Sequence, residues 1–401
     1  MRFNMSFDFK GLEKFLDYMA EKRTPGCAVR VCVGGKEVFS YSAGYSDIEE
    51  GIRYKGHEHI NIYSCSKVAT VTAGAQLLER GLIDLNDPLY AYIPEYKDMY
   101  VKDKDGNLKK AESPIRVGDL FSMTAGFNYN LKAPSILKAG EITGGRCDTE
   151  TVIRMLAKEP LSFEPGTRWQ YSLCHDVLAG LVEIVSGEKF RDYMKHNIFD
   201  PLGMNDTVYH ITSEIVKNMA SQYTFVADSG EVIEDLAEAQ RMGRASDGTY
   251  KKIEKTAVPY IFGEEYDSGG AGITTTPKDY IKLVAALSGG GIGMNRERIL
   301  SPYTVELLKT NRLREEQLKD IHTWAVLAGY GYGMGVRTHM NRGESGCNAP
   351  IGEFGWGGAA GATVIVDTEN DVALFFAQHC LNPREEWYQP RLKNVLYGCL
   401  R

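Results

Sequence analysis

Long apolar runs, basic clusters and paired cysteines are all missing from this 401-residue chain. No stretch approaches the roughly 20 apolar residues of a membrane-spanning helix, so a membrane is not an expected partner. The 46 Lys and Arg residues are outnumbered by 53 Asp and Glu residues, which gives a net charge of −7. Because basic residues occur only in short pairs, nucleic acid is not expected as a partner either.

The eight cysteines stand singly, and none forms a Cys-x-x-Cys pair. This distribution predicts reduced, mostly buried thiols rather than disulfides or a zinc site. The N-terminal segment also lacks an uninterrupted apolar core of the length found in signal peptides. A cytoplasmic location is therefore expected, provided that the chain has not been trimmed.

Two catalytic motifs are absent as well. No Gly-x-Ser-x-Gly occurs in the chain, which excludes the nucleophile elbow of an α/β-hydrolase. A candidate for metal ligands is His57-Glu58-His59, but its spacing is not that of His-Glu-x-x-His. The alternation of side chains along an extended segment explains this tripeptide more simply. Neither a metal nor another cofactor is therefore expected.

The two ends of the chain carry strand patterns, and each end also has a helix. The predicted strands span residues 26–33, 37–43, 330–338, 360–367 and 371–378, with helices over about 8–22 and 383–400. Gly34-Gly35-Lys36 between the first two strands indicates a hairpin. The predicted fold class is α/β (α+β), in which strands from both chain ends form one antiparallel sheet flanked by helices.

The middle of the chain has a different pattern. Residues 71–267 are predicted as a mostly helical inserted subdomain, which leaves 1–70 and 268–401 as the sheet subdomain of one catalytic unit with a cleft. Predicted helices of the insertion span residues 117–123, 149–158, 176–186 and 188–198. Residues 221–249 and 250–265 look irregular and polar, which favours a lid or a pocket-wall loop.

Ser64 and Lys67 stand three residues apart at the start of an apolar helical run. Residues i and i+3 share a helix face, so the ammonium would lie beside the hydroxyl at the positive end of the helix dipole. A serine nucleophile with a lysine partner needs this arrangement. Ser135 and Ser186 also begin Ser-x-x-Lys matches, but only Ser64 is predicted to start a long helix after an extended segment. The alternative for Ser64 is a surface turn of helix.

Tyr171 follows a Glu-Pro-Gly-Thr turn and is the candidate partner of Lys67 as the base. An unperturbed lysine is neutral in about one molecule in 2,500 at pH 7. Burial together with a shared proton or a second cation could bring its pKa to about 7–8, and the two groups would then titrate as one unit. The alternative for Tyr171 is a structural hydrogen bond, because the chain has 23 tyrosines.

A glycine-rich segment over residues 352–362 leads into a predicted strand. Glycines at such a position let the backbone approach a ligand closely. The N–H of Ala359 could then pair with that of Ser64 to hold an oxyanion. The alternative is a β-bulge without a ligand.

Together, Ser64-x-x-Lys67, Tyr171-Ser172 and Trp356-Gly357-Gly358 resemble the motifs of the serine β-lactamase and penicillin-binding-protein superfamily. The match is to class C β-lactamases, D,D-peptidases and family VIII carboxylesterases, and it covers about residues 25–378 in the same order. This resemblance implies a β-lactamase/transpeptidase-like fold in which Ser64 is acylated. It also implies that Lys67 and Tyr171 are the base pair and that the amides of Ser64 and Ala359 form the oxyanion hole.

Two departures from the family motifs bear on the substrate. Trp356 replaces the usual Lys or His of the third motif, and Leu173 replaces the Asn of Tyr-x-Asn. The resemblance then implies that a cation and an amide used to recognise β-lactams and peptides are lost. An apolar acyl or alkyl group is expected against Trp356 and Leu173, next to Gly357 and Gly358. Arg337 could supply a contact to a carboxylate of the substrate. The alternative is that Arg337 is a surface residue of a strand.

The expected function is hydrolysis of a carboxylic ester or small amide through an acyl-enzyme on Ser64. Four alternatives stay open: a β-lactamase, a D-amino-acid peptidase or D,D-carboxypeptidase-like enzyme, an acyltransferase, and a catalytically silent binding module. The intact Ser64, Lys67 and Tyr171 weigh against the last of these. The partner is a small-molecule ester or amide, and a homo-oligomer is left open.

We predict that the chain hydrolyses the β-lactam nitrocefin much more slowly than short acyl p-nitrophenyl esters. The physical reason is that Trp356 and Leu173 offer neither the cation nor the amide that grips a β-lactam. Steady-state rates of the two substrates measured side by side test this. A nitrocefin rate comparable to the ester rate would overturn the preference for esters.

Overall fold

A single antiparallel sheet lies at the centre of the computed structural model, which describes residues 6–227, 248–253 and 262–400. Its eight strands, in spatial order, are Tyr330–Tyr332, Arg337–His339, Phe354–Gly355, Thr363–Asp367, Val372–Gln378, Gly26–Val33, Lys36–Asp47 and Ile52–Arg53. Every neighbouring pair is antiparallel. The chain ends meet where Cys27 lies opposite Gln378 and Val33 opposite Val372. This confirms the predicted sheet from both termini.

The two faces of the sheet follow from the alternation of side chains along each strand. Leu374 and Phe376 point to one face, where they pack in a cluster with the first helix, Lys10–Lys22, and the last helix, Glu385–Gly398. Phe375 and Ala377 point to the other face and join a larger cluster with helix Pro277–Ser288. The sheet is therefore buried on both faces, as its mostly apolar strands require.

The remaining elements surround this sheet. Further α-helices span Ser66–Glu79, Val117–Ser122, Pro134–Ile142, Thr149–Leu156, Cys174–Ser186, Phe190–Met194, Asp200–Leu202, Ser213–Lys217, Pro302–Lys309, Glu315–Ile321 and Arg342–Ser345. Smaller sheets pair Ile60–Asn61 with Thr274–Thr275, Tyr100–Lys102 with Leu108–Lys110, and Gln222–Ala227 with both Gly248–Ile253 and Cys380–Leu381. The large cluster contains side chains from both the sheet and the helical middle of the chain. The division into two subdomains stays a prediction.

Three predicted elements differ from the structure. The strand predicted over residues 330–338 is a hairpin of two short strands, because the chain turns at Gly335 with φ of +75°. The helix predicted over 188–198 begins at Phe190 and continues as a π-helical segment, Lys195–Phe199. The segment with Ser135 and Lys138, for which no helix is predicted, is the 9-residue helix Pro134–Ile142, which is shorter than the 14-residue helix Ser66–Glu79 after Ser64.

The segment predicted to be irregular also needs correction. Gln222–Ala227 and Gly248–Ile253 form an antiparallel pair. Residues 228–247 and 254–261 of the predicted lid lie outside the described residues. All eight cysteines are described, and all are buried. Across the described ranges, no helix has both the length and the apolar character to cross a membrane.

We predict that Leu374→Ala lowers the free energy of unfolding by about 2–5 kcal/mol. Leu374 is 0% exposed in a central strand, so its truncation leaves a cavity between the sheet and the terminal helices. Urea denaturation followed by circular dichroism measures the change. The matched control is Leu108→Ala, since Leu108 is 61% exposed and its truncation should cost far less. Equal losses in the two variants would contradict the position of the core.

Candidate active site

The backbone around Ser64 is held in an uncommon conformation. Strand Ile60–Asn61 pairs with Thr274–Thr275, and the N–H of Ile62 donates to the carbonyl of Ile273 at 3.1 Å. The chain then enters a 3₁₀ turn, Tyr63–Cys65, in which Tyr63 has φ of +47°. Positive φ is strained for a bulky residue and persists only where the surroundings impose it. This turn presents Ser64 immediately before the helix Ser66–Glu79.

Lys67 lies beside Ser64, as the helical spacing predicts. Its Nζ is 3.3 Å from the Oγ of Ser64 and donates a 2.7 Å hydrogen bond to the carbonyl of Gly270. The side chain is 0% exposed. Burial lowers the pKa of Lys67 to about 8, and the carboxylate of Asp176 acts in the opposite direction. A neutral amine is therefore far more populated near pH 7 than in an ordinary lysine.

The loop that contacts Lys67 is organised by Asp176. Its Oδ1 accepts hydrogen bonds from the hydroxyl of Tyr266 at 2.7 Å, from Ser268 at 2.8 Å and from the N–H of Gly270 at 3.3 Å. A Cβ at position 270 would lie 2.6 Å from the Oδ2 of Asp176 and 3.2 Å from the Nζ of Lys67. Only glycine allows this close approach. Asp176 therefore positions the carbonyl that holds the lysine.

Tyr171 completes the contacts to the Ser64 hydroxyl. Its own hydroxyl donates to the Oγ of Ser64 at 2.6 Å. Burial raises the pKa of Tyr171, although hydrogen bonds with Ser64 and Trp356 act in the opposite direction. The phenol therefore keeps its proton at neutral pH, and Lys67 is the better proton acceptor of the two. The Nζ of Lys67 lies 4.7 Å from the centroid of the Tyr171 ring, where a cation–π interaction favours its charged form.

The glycine-rich segment lies directly against the start of the Ser66–Glu79 helix. A Cβ at position 358 would be 2.2 Å from the carbonyl oxygen of Ile62, so this approach also requires glycine. Ala359 follows in a turn, and its N–H takes part in none of the backbone hydrogen bonds found between described residues. Ala359 lines the same cavity as Ser64, and its N–H as an oxyanion-hole donor stays a prediction.

These side chains border a cavity of about 330 Å³. Its walls are mainly aromatic and aliphatic. The lining residues are Ser64, Tyr129, Tyr171, Trp324, Val326, Leu327, Arg337, Trp356, Gly357, Gly358, Ala359, Pro383, Glu385 and Gln389. The structure thus brings Ser64, Tyr171 and Ala359 together with Trp356, Gly357 and Gly358, while Lys67 joins them through its contact with Ser64.

Leu173 is not part of this lining. It is 3% exposed and packs in the large hydrophobic cluster, where its carbonyl receives the N–H of Asp176 at the start of the helix Cys174–Ser186. The structure therefore does not bring Leu173 to the cavity, although the motif position suggested it. The direction of a side chain at the start of a helix decides whether Leu173 faces the cavity or the core. The spacing of the motif does not reveal that direction.

Arg337 is a buried residue rather than a surface strand residue. It is 1% exposed, lines the cavity, and pairs with Glu353 at 3.1 Å. Its Nε and Nη1 are buried without a hydrogen-bond partner among the described residues. Beyond Glu353, the hydroxyl of Tyr330 accepts a 2.8 Å hydrogen bond from the buried Lys393. Arg337 therefore connects the cavity wall with a buried polar network.

Sequence reasoning missed several residues of the site. Tyr129 and Trp324 stack or tilt against Tyr171 at centroid distances of 5.2 Å, and Glu385 and Gln389 reach the cavity from the last helix. None of the four belongs to a motif that the sequence displays. The i,i+4 spacing of Glu385 and Gln389 indicates that both lie on one helix face, but it does not indicate what that face contacts.

Among the described residues, no group of three or more His, Cys, Asp or Glu side chains is arranged to hold a metal ion. The site itself combines a serine, a lysine and a tyrosine beside a glycine-rich segment. This combination, on a sheet formed by both chain ends, is typical of serine enzymes that form an acyl-enzyme. The fold is β-lactamase/transpeptidase-like, as the motifs implied.

Comparison with known proteins identifies the family. The family model described as Beta-lactamase matches residues 13–393, and the chain belongs to this family. Protein Rv1367c of Mycobacterium tuberculosis (strain ATCC 25618 / H37Rv) is 27% identical over 350 residues, which cover 84% of this chain and 81% of that protein. Esterase EstB of Burkholderia gladioli is 25% identical over 362 residues, which cover 87% of this chain and 84% of that protein.

A solved structure shows the same fold. EstCE1, described as a hydrolase with promiscuous acyltransferase activity, superimposes with a TM-score of 0.75 at 22% identity. The match covers 97% of this chain and 98% of EstCE1. The chain therefore shares the fold of EstCE1 over nearly its whole length.

We predict that the acylation rate rises with pH and reaches half of its plateau near pH 8. Lys67 accepts a proton only when it is neutral, and its pKa is lowered to about 8, so activity is lost as the pH falls below that value. At pH 6 the rate should be about 100-fold below the plateau. Pre-steady-state bursts with a p-nitrophenyl ester between pH 6 and 10 measure this profile.

The control addresses a second buried lysine. Burial also lowers the pKa of Lys393 to about 8, and Arg337 adds to the effect. Lys393→Met should keep the inflection near pH 8, because Lys393 does not contact Ser64. Disappearance of the inflection in Lys393→Met, or a flat profile in the unmodified protein, would contradict the role of Lys67.

Proposed function

We propose that this chain hydrolyses a carboxylic ester, or a small amide, through an acyl-enzyme on Ser64. One observation carries the proposal: the Oγ of Ser64 lies within hydrogen-bonding distance of both Lys67 and Tyr171 at the wall of a mainly apolar cavity. Such an arrangement supplies a nucleophile, a proton acceptor and space for a substrate.

The acylation step follows from these contacts. The neutral amine of Lys67 takes the proton of the Ser64 hydroxyl, directly or through Tyr171, while Oγ forms a bond to the carbonyl carbon. Negative charge develops on the carbonyl oxygen, where the N–H groups of Ser64 and Ala359 can stabilise it. The C–O or C–N bond then breaks, and the leaving group takes the proton from Lys67 or Tyr171.

Deacylation uses the same groups. A water molecule gives a proton to the neutral amine of Lys67 or to the Tyr171 relay and attacks the acyl carbon, after which Ser64 recovers its proton. An alcohol or amine in place of water would give acyl transfer instead of hydrolysis. The description of EstCE1 as a hydrolase with promiscuous acyltransferase activity supports acyl transfer as a second candidate.

The walls of the cavity favour esters of apolar acids or alcohols. Trp356 is 4% exposed and forms part of an aromatic wall with Tyr129, Tyr171 and Trp324. Burial of an apolar group against such a wall contributes about 25 cal/mol per Å². Arg337 also lines the cavity, but its charge is already paired with Glu353 at 3.1 Å and its Nη1 is buried. A contact of Arg337 with a substrate carboxylate stays a prediction.

We predict that Ser64→Ala abolishes both ester turnover and labelling by a fluorophosphonate, measured by intact-mass spectrometry. Tyr171→Phe should lower the acylation rate by about 10²–10⁴, because the proton relay to Lys67 is removed. Retained labelling of Ser64→Ala would remove Ser64 as the nucleophile. A near-normal burst in Tyr171→Phe would show that Lys67 works alone.

The matched control for these variants is Ser186→Ala. Ser186 begins another Ser-x-x-Lys match, but it ends the helix Cys174–Ser186 and is followed by Gly187 in a left-handed cap. Its variant should keep the full rate and a single fluorophosphonate adduct. Loss of activity in Ser186→Ala would mean that the Ser-x-x-Lys match at Ser64 does not by itself identify the nucleophile.

A further inference from the structure

The backbone of one residue joins the buried side chains of Lys67 and Asp176. Gly270 donates its N–H to the Oδ1 of Asp176 at 3.3 Å, and its carbonyl accepts the 2.7 Å hydrogen bond from the Nζ of Lys67. The Oδ2 of Asp176 and the Nζ of Lys67 also border the same face of Gly270, where a Cβ would meet both. Asp176 is 3% exposed and Lys67 is 0% exposed, so water and salt screen their attraction little.

Thiol, imidazole and phenol side chains also lie around Lys67, and burial keeps them uncharged at neutral pH. Burial raises the pKa of the Cys65 thiol, and it raises the pKa of the Cys174 thiol to about 12. Burial lowers the pKa of His175 to about 3, and Lys67 acts in the same direction. The phenol of Tyr171, whose pKa is raised by burial, also keeps its proton.

Asp176 is therefore the charged side chain that acts on Lys67 within the described ranges. Burial lowers the pKa of Lys67 to about 8, and the carboxylate opposes this effect by favouring the charged amine. The ring of Tyr129, 5.5 Å from Nζ, acts in the same direction without a charge. The hydroxyls of Tyr266 and Ser268 donate to Oδ1 at 2.7 and 2.8 Å, so they fix the carboxylate without pairing it with a cation.

An alternative role for Asp176 is purely structural. It lies in the first turn of the helix Cys174–Ser186, where an acidic residue is favourable, and it ties the loop after Tyr266 to that helix. A structural role predicts that loss of the carboxylate weakens the fold or lowers the plateau rate of acylation. It does not predict a change in the pH at which Lys67 loses its proton.

We propose that Asp176 is a positioning residue that holds the proton on Lys67 through Gly270 and so sets the pH at which the amine becomes a proton acceptor. Its effect on the reaction rests on the proposed function, because that function makes Lys67 the acceptor. Its effect on the amine does not. Without the negative charge, burial acts unopposed and the amine becomes neutral at a lower pH. Activity then begins at a lower pH relative to its plateau, whereas a damaged site would only lose rate.

Nuclear magnetic resonance of the amine tests the proposal without turnover. Lysine labelled with ¹³C at Cε is incorporated, and the signal of Lys67 is identified by its absence in Lys67→Met. The signal is followed between pH 6 and 10 in the unmodified protein and in three variants. Asp176→Asn keeps an oxygen acceptor and removes the charge, while Tyr266→Phe removes a hydrogen bond to Oδ1 and keeps the charge. Glu183→Gln removes a charge from the same helix, where Glu183 pairs with Lys189.

The midpoint of the Lys67 signal should fall by about one pH unit in Asp176→Asn, because a nearby opposite charge shifts a pKa by about that amount or more. At pH 6 this variant should reach about one tenth of its own plateau acylation rate, about tenfold the fraction expected of the unmodified protein. Tyr266→Phe and Glu183→Gln should keep the midpoint near pH 8. An unchanged midpoint in Asp176→Asn would overturn the proposal. An equal displacement in either control would also overturn it, by assigning the effect to the loop or to net charge.

A second readout uses the unmodified protein, in case circular dichroism shows that Asp176→Asn does not fold. The carboxyl carbon of Asp176, labelled with ¹³C, is identified by its displacement in Tyr266→Phe. Its chemical shift should change at the pH where the Lys67 signal changes, and this inflection should vanish in Lys67→Met. A carboxyl signal that does not respond to Lys67 would overturn the proposal.

Failure of the proposed function has a different signature. A Lys67 midpoint that moves in Asp176→Asn while the acylation profile stays in place would overturn Lys67 as the proton acceptor. The effect of Asp176 on the amine would then still be supported. An acylation profile that moves together with the Lys67 signal supports both the proposed function and the role of Asp176.

Discussion

The burial of Lys67 is the constraint on which the rest of the site depends. A lysine inside a protein is disfavoured in its charged form, and this one offsets the cost through the carbonyl of Gly270 and the nearby Asp176. Those contacts require a glycine at 270 and a loop fixed by Asp176, Tyr266 and Ser268. The lowered pKa of Lys67 is therefore a product of the fold and not of the Ser-x-x-Lys motif alone. The other two matches to that motif lack this surrounding structure.

Several levels of structure converge on Ser64. The strand pair before it and the positive φ of Tyr63 set the backbone, and the hydroxyls and amine around it set the proton positions. The third segment, at Gly358, reaches the same point only because it has no side chain. The surroundings of Ser64 are thus built from three separate stretches of chain.

The sheet from both termini could be predicted from the sequence, because it depends on strong local strand patterns. The structure brings Ser64, Lys67, Tyr171 and Ala359 together, and their catalytic roles stay a prediction. The sequence was insufficient for Glu385, Gln389 and Trp324, which reach the cavity through contacts between distant segments. Leu173 illustrates the same limit, since its motif position suggested the cavity and its side chain packs in the core. The paired strands Gln222–Ala227 and Gly248–Ile253 were missed because the second strand carries adjacent lysines and lacks an apolar alternation.

The pairing of Val372–Gln378 with Gly26–Val33 has a consequence for folding. Ser64 and Ala359 are about 300 residues apart in the sequence, and they line one cavity in the folded structure. Contacts between residues so distant in sequence slow folding, because a long loop must close before they form. The cavity therefore takes shape only after the two distant strands have paired.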